Sequence, residues 1–194
     1  LRGHPDLHFV YPVVNKSSVS PKAVSDDYKS TWDDFLQNEP YGSTQDWISM
    51  LEAGNKQGMI GVEEVSRIHH KMYLTAHNGG YKVMILFGAD KLSEKASNKL
   101  LKILEEPPKN SFFILICEQT ESILPTLVSR CQNIKLKPLN AKEINKGLEQ
   151  LDSESVSPSS ISTSRGSWRK VLAELNTPYP VSYTHLTLPT SYPV

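Results

Sequence analysis

The sequence predicts an α/β fold, a parallel sheet flanked by helices and followed by a smaller helical unit. Two observations carry this. Tyr81–Phe87 and Phe112–Cys117 are short, continuous apolar runs of strand length, without the alternation of a half-exposed hairpin. Around them lie segments whose apolar residues recur at helical spacing. Strands alternating with helices require crossovers, and crossovers join parallel strands. After Pro138 the strand-like runs stop, which places a boundary there: residues 1–138 form the α/β unit and 139–179 the helical one.

Leu7–Val13 reads as the first strand. Residues 16–57 then form an insertion. Within it Asp27–Leu36 is amphipathic, with Tyr28, Trp32, Phe35 and Leu36 on one side, and Thr44–Leu51 repeats the pattern with Trp47, Ile48 and Leu51. Aromatic stripes of this kind are usually core, so both helices are expected to cover an edge or face of the sheet. A partner-docking surface is the alternative. Val62, Val65, Ile68, Met72 and Leu74 mark the next helix, with Asn78-Gly79-Gly80 as its stop. Tyr81–Phe87 is a buried strand. Ser93 can cap a helix whose Ala96, Leu100, Ile103 and Leu104 face inward and which ends before Pro107-Pro108. Phe112–Cys117 is expected to be a strand buried on both faces. Ile123–Arg130 reads as a short helix or turn with Pro125 near its start, where a missing N–H costs little. Gln132–Leu136 returns as a further strand. Beyond the boundary, Asn140 can cap Ala141–Leu151, a serine-rich stretch follows, and Gly166–Leu175 is another helix.

The 194 residues carry 21 Lys+Arg against 21 Asp+Glu. That balance removes the simplest nucleic-acid signature, a strongly basic domain. No apolar run approaches the roughly 18 residues needed to cross a bilayer, and no leader opens the chain, so no membrane partner is expected. Cys117 and Cys131 are too few for a disulfide framework and lack C-x-x-C spacing, which points to a reducing cytoplasm. Both ends read as cut ends. There is no initiator Met, and Val181–Thr190 back-translates to a transposon-end sequencing adapter read in frame. Residues 180–194 are therefore expected to be an artefact outside the fold.

An α/β sheet invites a search for phosphate chemistry. Neither G-x-x-x-x-G-K-[ST] nor G-x-G-x-x-G occurs; in Gly54-Asn-Lys-Gln-Gly58 the lysine precedes the second glycine and no hydroxyl follows. A hydrolytic site also needs carboxylates at the end of a buried strand to hold Mg²⁺. Tyr81–Phe87 ends instead in Phe87-Gly88-Ala89, and Asp90 comes late enough to initiate or cap the next helix. His4, Asp6 and His8 alternate and could share a strand face, but a terminal segment containing Pro5 is poor scaffolding for a metal. His69 and His70 are adjacent on a helix and diverge. No G-x-S-x-G elbow surrounds a serine. Glu105 and Glu106 sit at a helix C-terminus, where carboxylates oppose the dipole; a locally unfavourable choice of this kind often marks a site, although a solvated helix end is the commoner cause. Arg130, between a short helix and a strand, is placed to project a guanidinium outward, with a surface salt bridge as the ordinary alternative.

Two stretches then shift that balance. Leu100-Leu-Lys-Ile-Leu-Glu-Glu-Pro-Pro108, followed by Ile123-Leu-Pro-Thr-Leu-Val-Ser-Arg-Cys-Gln132, closely resembles the bacterial clamp-loader branch of the AAA+ ATPases, and the delta-prime family of DNA polymerase III most of all. His4-Pro-Asp6 and the helices near the end fit the same family. The Trp32/Trp47 insertion is similar to that of Bacteroidota versions. The resemblance covers about Leu1 to Leu175 and implies a partial AAA+ (P-loop NTPase-like) sheet followed by a partial helical lid.

It also implies a role in DNA replication: a non-hydrolysing subunit that helps load the sliding clamp onto primed DNA. Ser129-Arg130-Cys131 matches the family's Ser-Arg-Cys motif, so Arg130 would be an arginine finger acting in trans, with Ser129 and Cys131 as its motif neighbours. The partners implied are the other clamp-loader subunits, gamma/tau and delta, and through them the clamp and primed DNA. ATP and Mg would be bound by a neighbouring subunit, and none by this chain. Glu118 stands near the family's sensor-1 position without the usual Thr or Asn, and Ser164–Arg169 corresponds to the lid's sensor-2 region. The family usually carries a four-cysteine zinc module just upstream of His-Pro-Asp, and those cysteines do not occur here. DNA contact would run through scattered lysines such as Lys99 and Lys102. The rival readings are an active gamma/tau-type ATPase subunit, a stand-alone α/β ligand-binding domain with its site near Gly88 and Cys117, and an interaction module using Trp32 and Trp47.

Overall fold

Three apolar runs build the sheet. The structure, a computed structural model, describes residues 4–15, 22–51, 54, 56–74, 76–77, 80–150 and 158–175. It divides into two units, Leu1–Ile134 and Lys135–Val194. In the first, β1 (Leu7–Val10), β2 (Lys82–Phe87) and β3 (Ser111–Ile116) pair in the order β1-β2-β3, all parallel. The register sets Val10 beside Leu86 and Leu86 beside Leu115. The expected α/β class is therefore present, with crossover helices between the strands.

The insertion contributes α1 (Lys29–Asn38), preceded by a 3-10 turn at Ser25–Tyr28, and α2 (Thr44–Met50). Next come α3 (Val62–Tyr73) before β2 and α4 (Glu94–Glu105) between β2 and β3. The inward stripe of α3 (Val65, Ile68, Met72) and that of α4 (Ala96, Leu100, Ile103) meet Val10, Met84 and Leu86 in one core. Full burial of a side chain of this size contributes about 1.5–3 kcal/mol, so the stripes rather than local propensity hold the helices in place. Ser93 caps α4 as its sequence predicts, its Oγ accepting from Ala96 N at 3.2 Å. At the C-terminus of α3, buried Lys82 reaches over from β2 and donates from Nζ to the carbonyls of Lys71 and Leu74. Of the expected Asn78-Gly79-Gly80 stop, residues 78 and 79 lie outside the described residues.

A second core lies under the insertion. Trp32 stacks on Tyr11 at 4.2 Å and meets Trp47 edge-on at 5.0 Å, and both Trp32 and Phe35 reach Phe87 at the end of β2. Trp47 is 0% exposed and Trp32 3%. Trp47 Nε1 donates to Pro12 O at 2.7 Å, whereas buried Trp32 Nε1 has no hydrogen-bond partner among the described residues. The covering role holds, and Trp32 and Trp47 have no surface to offer a partner.

Three strand expectations need correction. β1 ends at Val10, not Val13, because Tyr11 turns its backbone to the insertion: its N–H donates to Ser25 Oγ, and Ser25 Oγ donates back to Tyr11 O. β3 is partly buried on one face, where Phe113 and Leu115 pack against the core, and Phe112, Ile114 and Ile116 are exposed on the other. Gln132–Leu136 forms no strand. Its apolar residues Ile134 (73% exposed) and Leu136 (87%) find no core to enter, so nothing offsets the entropy of ordering an extended segment.

The second unit comprises α6 (Ala141–Gln150), α7 (Pro158–Ser164) and α8 (Trp168–Leu175), after the short α5 (Pro125–Val128) that closes the first. Ile144, Leu148 and Val171 form its core, with Trp168 packed beside them. Asn140 and Glu143 exchange hydrogen bonds as a capping box at the start of α6. The helix expected from Gly166 begins at Trp168, because Gly166 (φ +77) makes the preceding turn, where a side chain would strike Leu139 O at 2.5 Å. α7 emerges from a stretch legible only as serine-rich. The tail expected to be an artefact, 180–194, lies outside the described residues.

Candidate functional site

The Ser-Arg-Cys segment is positioned by one buried residue. Pro125 opens α5, where its fixed φ and missing N–H suit a first helical position. Leu127, fully buried in the main core, anchors the single turn. The backbone then tightens: Ser129 N donates to Pro125 O, Arg130 N to Leu127 O and Cys131 N to Val128 O, at 2.9, 3.1 and 3.1 Å. Arg130 is therefore carried on a closed turn whose root is in the core.

Its guanidinium lies against the protein along one side. Nη1 donates to Thr126 O at 3.0 Å, and Nη2 donates to Glu105 Oε1 at 2.5 Å. The two side chains remain 36% and 47% exposed, so this is a surface ion pair. Ser129 Oγ donates to the same Thr126 carbonyl at 3.0 Å. Cys131 is half-buried, and burial pushes its thiol pKa up, away from reactive thiolate. Ser129 and Cys131 thus frame the turn, and Arg130 carries the charge. The motif alone shows neither the Thr126 carbonyl nor the ion pair. A signal for the latter was present, because Glu105 is an acid placed against a helix dipole and Arg130 offsets it.

The C-terminal ends of the strands are occupied differently. Gly88 takes φ +69, and a Cβ there would meet Thr44 Cγ2 at 2.9 Å and Pro12 Cγ at 3.0 Å. The start of α2 therefore lies directly over the end of β2. Glu118, after β3, accepts from Thr44 N at 2.9 Å, and its own N–H donates to Asp90 Oδ1 at 3.4 Å. Asp90 does not cap α4, since Ser93 does; its carboxylate is buried and pairs with Lys91. Glu118 and Asp90 hold the insertion down, and the space at Gly88 that a ligand-binding domain would use is filled by protein.

Residues 3–140 match the family described as DNA polymerase III, delta subunit. The chain belongs to this family. DNA polymerase III subunit delta' of Yersinia pestis is 44% identical over 90 residues, 46% of this chain and 26% of that protein. The Haemophilus influenzae subunit delta' is 44% identical over 73 residues, 38% of this chain and 22% of its own length. DNA polymerase III subunit tau of Bacillus subtilis is 37% identical over 103 residues, 53% and 18% of the two chains. The matches thus span at most 26% of these relatives' own length. A solved gamma subunit-related protein from Thermotoga maritima is 23% identical, covers 47% of this chain and 30% of that one, and has a TM-score of 0.43.

The remaining sequence candidates are not gathered at the Arg130 corner. Lys99 donates to Ser66 Oγ at 2.6 Å and bridges α4 to α3, while Lys102 is exposed. Asp6 is buried, and its carboxylate accepts the His77 N–H at 2.9 Å; His4 Nδ1 accepts Asp6 N. Burial lowers the His8 pKa, with Lys71 and Lys82 adding to the effect. His69 stacks on Tyr73 instead of facing His70. No cluster of three or more His, Cys, Asp or Glu side chains able to hold a metal occurs among the described residues. In the second unit, the Ser164–Arg169 segment runs from the end of α7 through a turn into the start of α8, with Ser164 buried and Arg165 at φ +51. No helix among the described residues is long and apolar enough to cross a membrane.

Proposed function

We propose that this chain is part of a delta-prime-type clamp-loader subunit acting in DNA replication, and that Arg130 is its arginine finger. The subunit would assemble with gamma/tau and delta subunits, and through them engage the sliding clamp and primed DNA. ATP and Mg²⁺ would be held by the neighbouring subunit. Membership of the delta-subunit family supports this, and so does the absence of carboxylates at Phe87-Gly88-Ala89, where a hydrolysing subunit needs them. The observation that carries the proposal is the placement of Arg130. A guanidinium on a turn rooted by Leu127, on a side chain 36% exposed and with donors beyond the two given to Thr126 O and Glu105, can present N–H groups to a terminal phosphate on another chain.

The chemistry this requires is modest. As water attacks the γ-phosphorus and gives up a proton to a neighbouring base or solvent, the bond to the β–γ bridging oxygen breaks. Negative charge develops on that oxygen of the leaving nucleoside diphosphate, while the phosphoryl charge is spread over its equatorial oxygens. A permanently charged planar donor aimed at those oxygens stabilises the transition state more than the ground state. Fingers of this kind contribute on the order of 10³- to 10⁵-fold in rate. The test is primed-DNA-stimulated ATP turnover by a clamp loader reconstituted with the full-length subunit. Arg130→Ala is expected to lower turnover by on the order of 10³-fold with the assembly intact. Unchanged turnover in an assembly shown to contain the variant would reduce Arg130 to a surface ion pair.

A further inference from the structure

The finger reading accounts for Arg130 but leaves Glu105 unexplained. Glu105 is the last residue of α4, where a carboxylate faces the negative end of the helix dipole. The adjoining Glu106 is a second acid at the same end; its backbone carbonyl accepts the Tyr73 hydroxyl at 3.2 Å and its N–H donates to Lys102 O. Glu105 instead makes the 2.5 Å contact to Arg130 Nη2. An exposed ion pair contributes little to stability, about 0–1 kcal/mol, so stability alone is a weak reason for this arrangement.

We propose that Glu105 is a positioning residue for Arg130, an inference that rests on the finger reading above. The geometry points to a two-point hold. The Thr126 carbonyl fixes Nη1 and the Glu105 carboxylate fixes Nη2. The first anchor belongs to α5 and the second to α4, which are separate elements of one core. A long arginine side chain otherwise samples many rotamers, and each one lost on reaching a phosphate costs entropy at the moment of reaction. Holding the plane of the guanidinium from two directions removes that cost beforehand and leaves its other N–H groups, which have no protein partner among the described residues, for an incoming oxyanion. The paired carboxylate also keeps the corner from presenting an unneutralised charge, so the fork is ordered without being consumed.

The test uses the same reconstituted assembly with full-length subunits: wild type, Arg130→Ala, Glu105→Ala, Glu105→Gln, and the Arg130→Ala/Glu105→Ala double variant. Glu105→Ala is expected to lower kcat by about tenfold to a hundredfold with KM for ATP and the assembly state unchanged. Glu105→Gln keeps an acceptor oxygen and should recover part of the loss, an order that a purely structural role would not produce. Added to Arg130→Ala, the Glu105 substitution should cost nothing further. The proposal is overturned if Glu105→Ala turns over like wild type while Arg130→Ala does not. It is also overturned if the two losses multiply in the double variant, or if turnover rises, which would make Glu105 a latch. Should Arg130→Ala itself have no effect, the finger reading falls and takes the positioning role with it.

Discussion

Two regions of the first unit hold the residues that stand out most in the sequence, and they use them in opposite ways. Under the insertion, Trp32, Phe35 and Trp47 close over Tyr11 and Phe87 with almost no exposed surface. At the α4–α5 corner, Glu105 and Arg130 pair in the open, Glu105 at the end of α4 and Arg130 on a single turn rooted by Leu127. The first region is held by area removed from water, the second by geometry. Substitutions in the aromatic cluster should therefore register as lost stability and leave intersubunit chemistry alone wherever the fold survives. Substitutions at the corner should do the reverse.

The sharpest way to break that contrast is Trp47→Ala. It removes a fully buried indole together with its bond to Pro12 O, and is expected to cost about 3–5 kcal/mol, read as a shift in the denaturation midpoint of the full-length subunit. A small shift accompanied by lost assembly would instead revive Trp47 as a docking residue. Gly88→Ala comes next. The residue sits at φ +69 with Thr44 and Pro12 in the way of a Cβ, so about 1–3 kcal/mol of strain is expected, by the same measurement. Full stability in that variant would mean that α2 does not lie over the end of β2. Third, Arg130→Ala should move stability by less than about 1 kcal/mol while its turnover collapses. A large loss of stability there would make the corner part of the core and undo the comparison.

Legibility in the sequence divides along the same line. The helices that pack on the sheet were readable, because Val65, Ile68 and Met72 or Ala96, Leu100 and Ile103 repeat at the period their burial requires. Gln132–Leu136 misled because two alternating apolar residues satisfy a strand pattern whether or not any surface exists to receive them. β3 misled for a related reason: Phe112, Ile114 and Ile116 are apolar but not covered among the described residues. Composition records what a residue prefers, not what its neighbours provide. At the candidate site, Ser129-Arg130-Cys131 was visible as a motif and Glu105 as an electrostatic oddity. Their contact was not, since it joins positions 25 apart through two helix ends that only tertiary packing brings together. Glu118 was visible as a departure from the family pattern, while its bond to Thr44 N spans 74 positions.

The smallest effect concerns the seam that ties the insertion to α3, and its sign separates two carboxylates. Glu64 is buried in the first turn of α3 and accepts Ser25 N at 2.6 Å. Burial raises its pKa, and the Ser25 N–H and Lys71 only partly offset this. For Asp26 burial also pushes upward, but the hydrogen bonds and charges of Lys71 and Arg67 outweigh it and hold the carboxyl below its usual range. The folded state thus binds the Glu64 proton more tightly than the unfolded chain does. Its contribution to stability is complete below the ordinary carboxylate pKa and is lost as pH rises through the raised value. Asp26 runs the other way, contributing above its ordinary pKa and losing that contribution as pH falls through the lowered one. Glu64→Gln keeps an acceptor for Ser25 N–H and removes only the titration, so its stability relative to wild type should climb from acid toward neutral pH. Denaturation midpoints of the two full-length proteins across that range decide it. Parallel curves would mean that Glu64 is solvated, leaving the ion pairs of Asp26 with Arg67 and Lys71, and of Lys22 with Glu63, to join the insertion to α3.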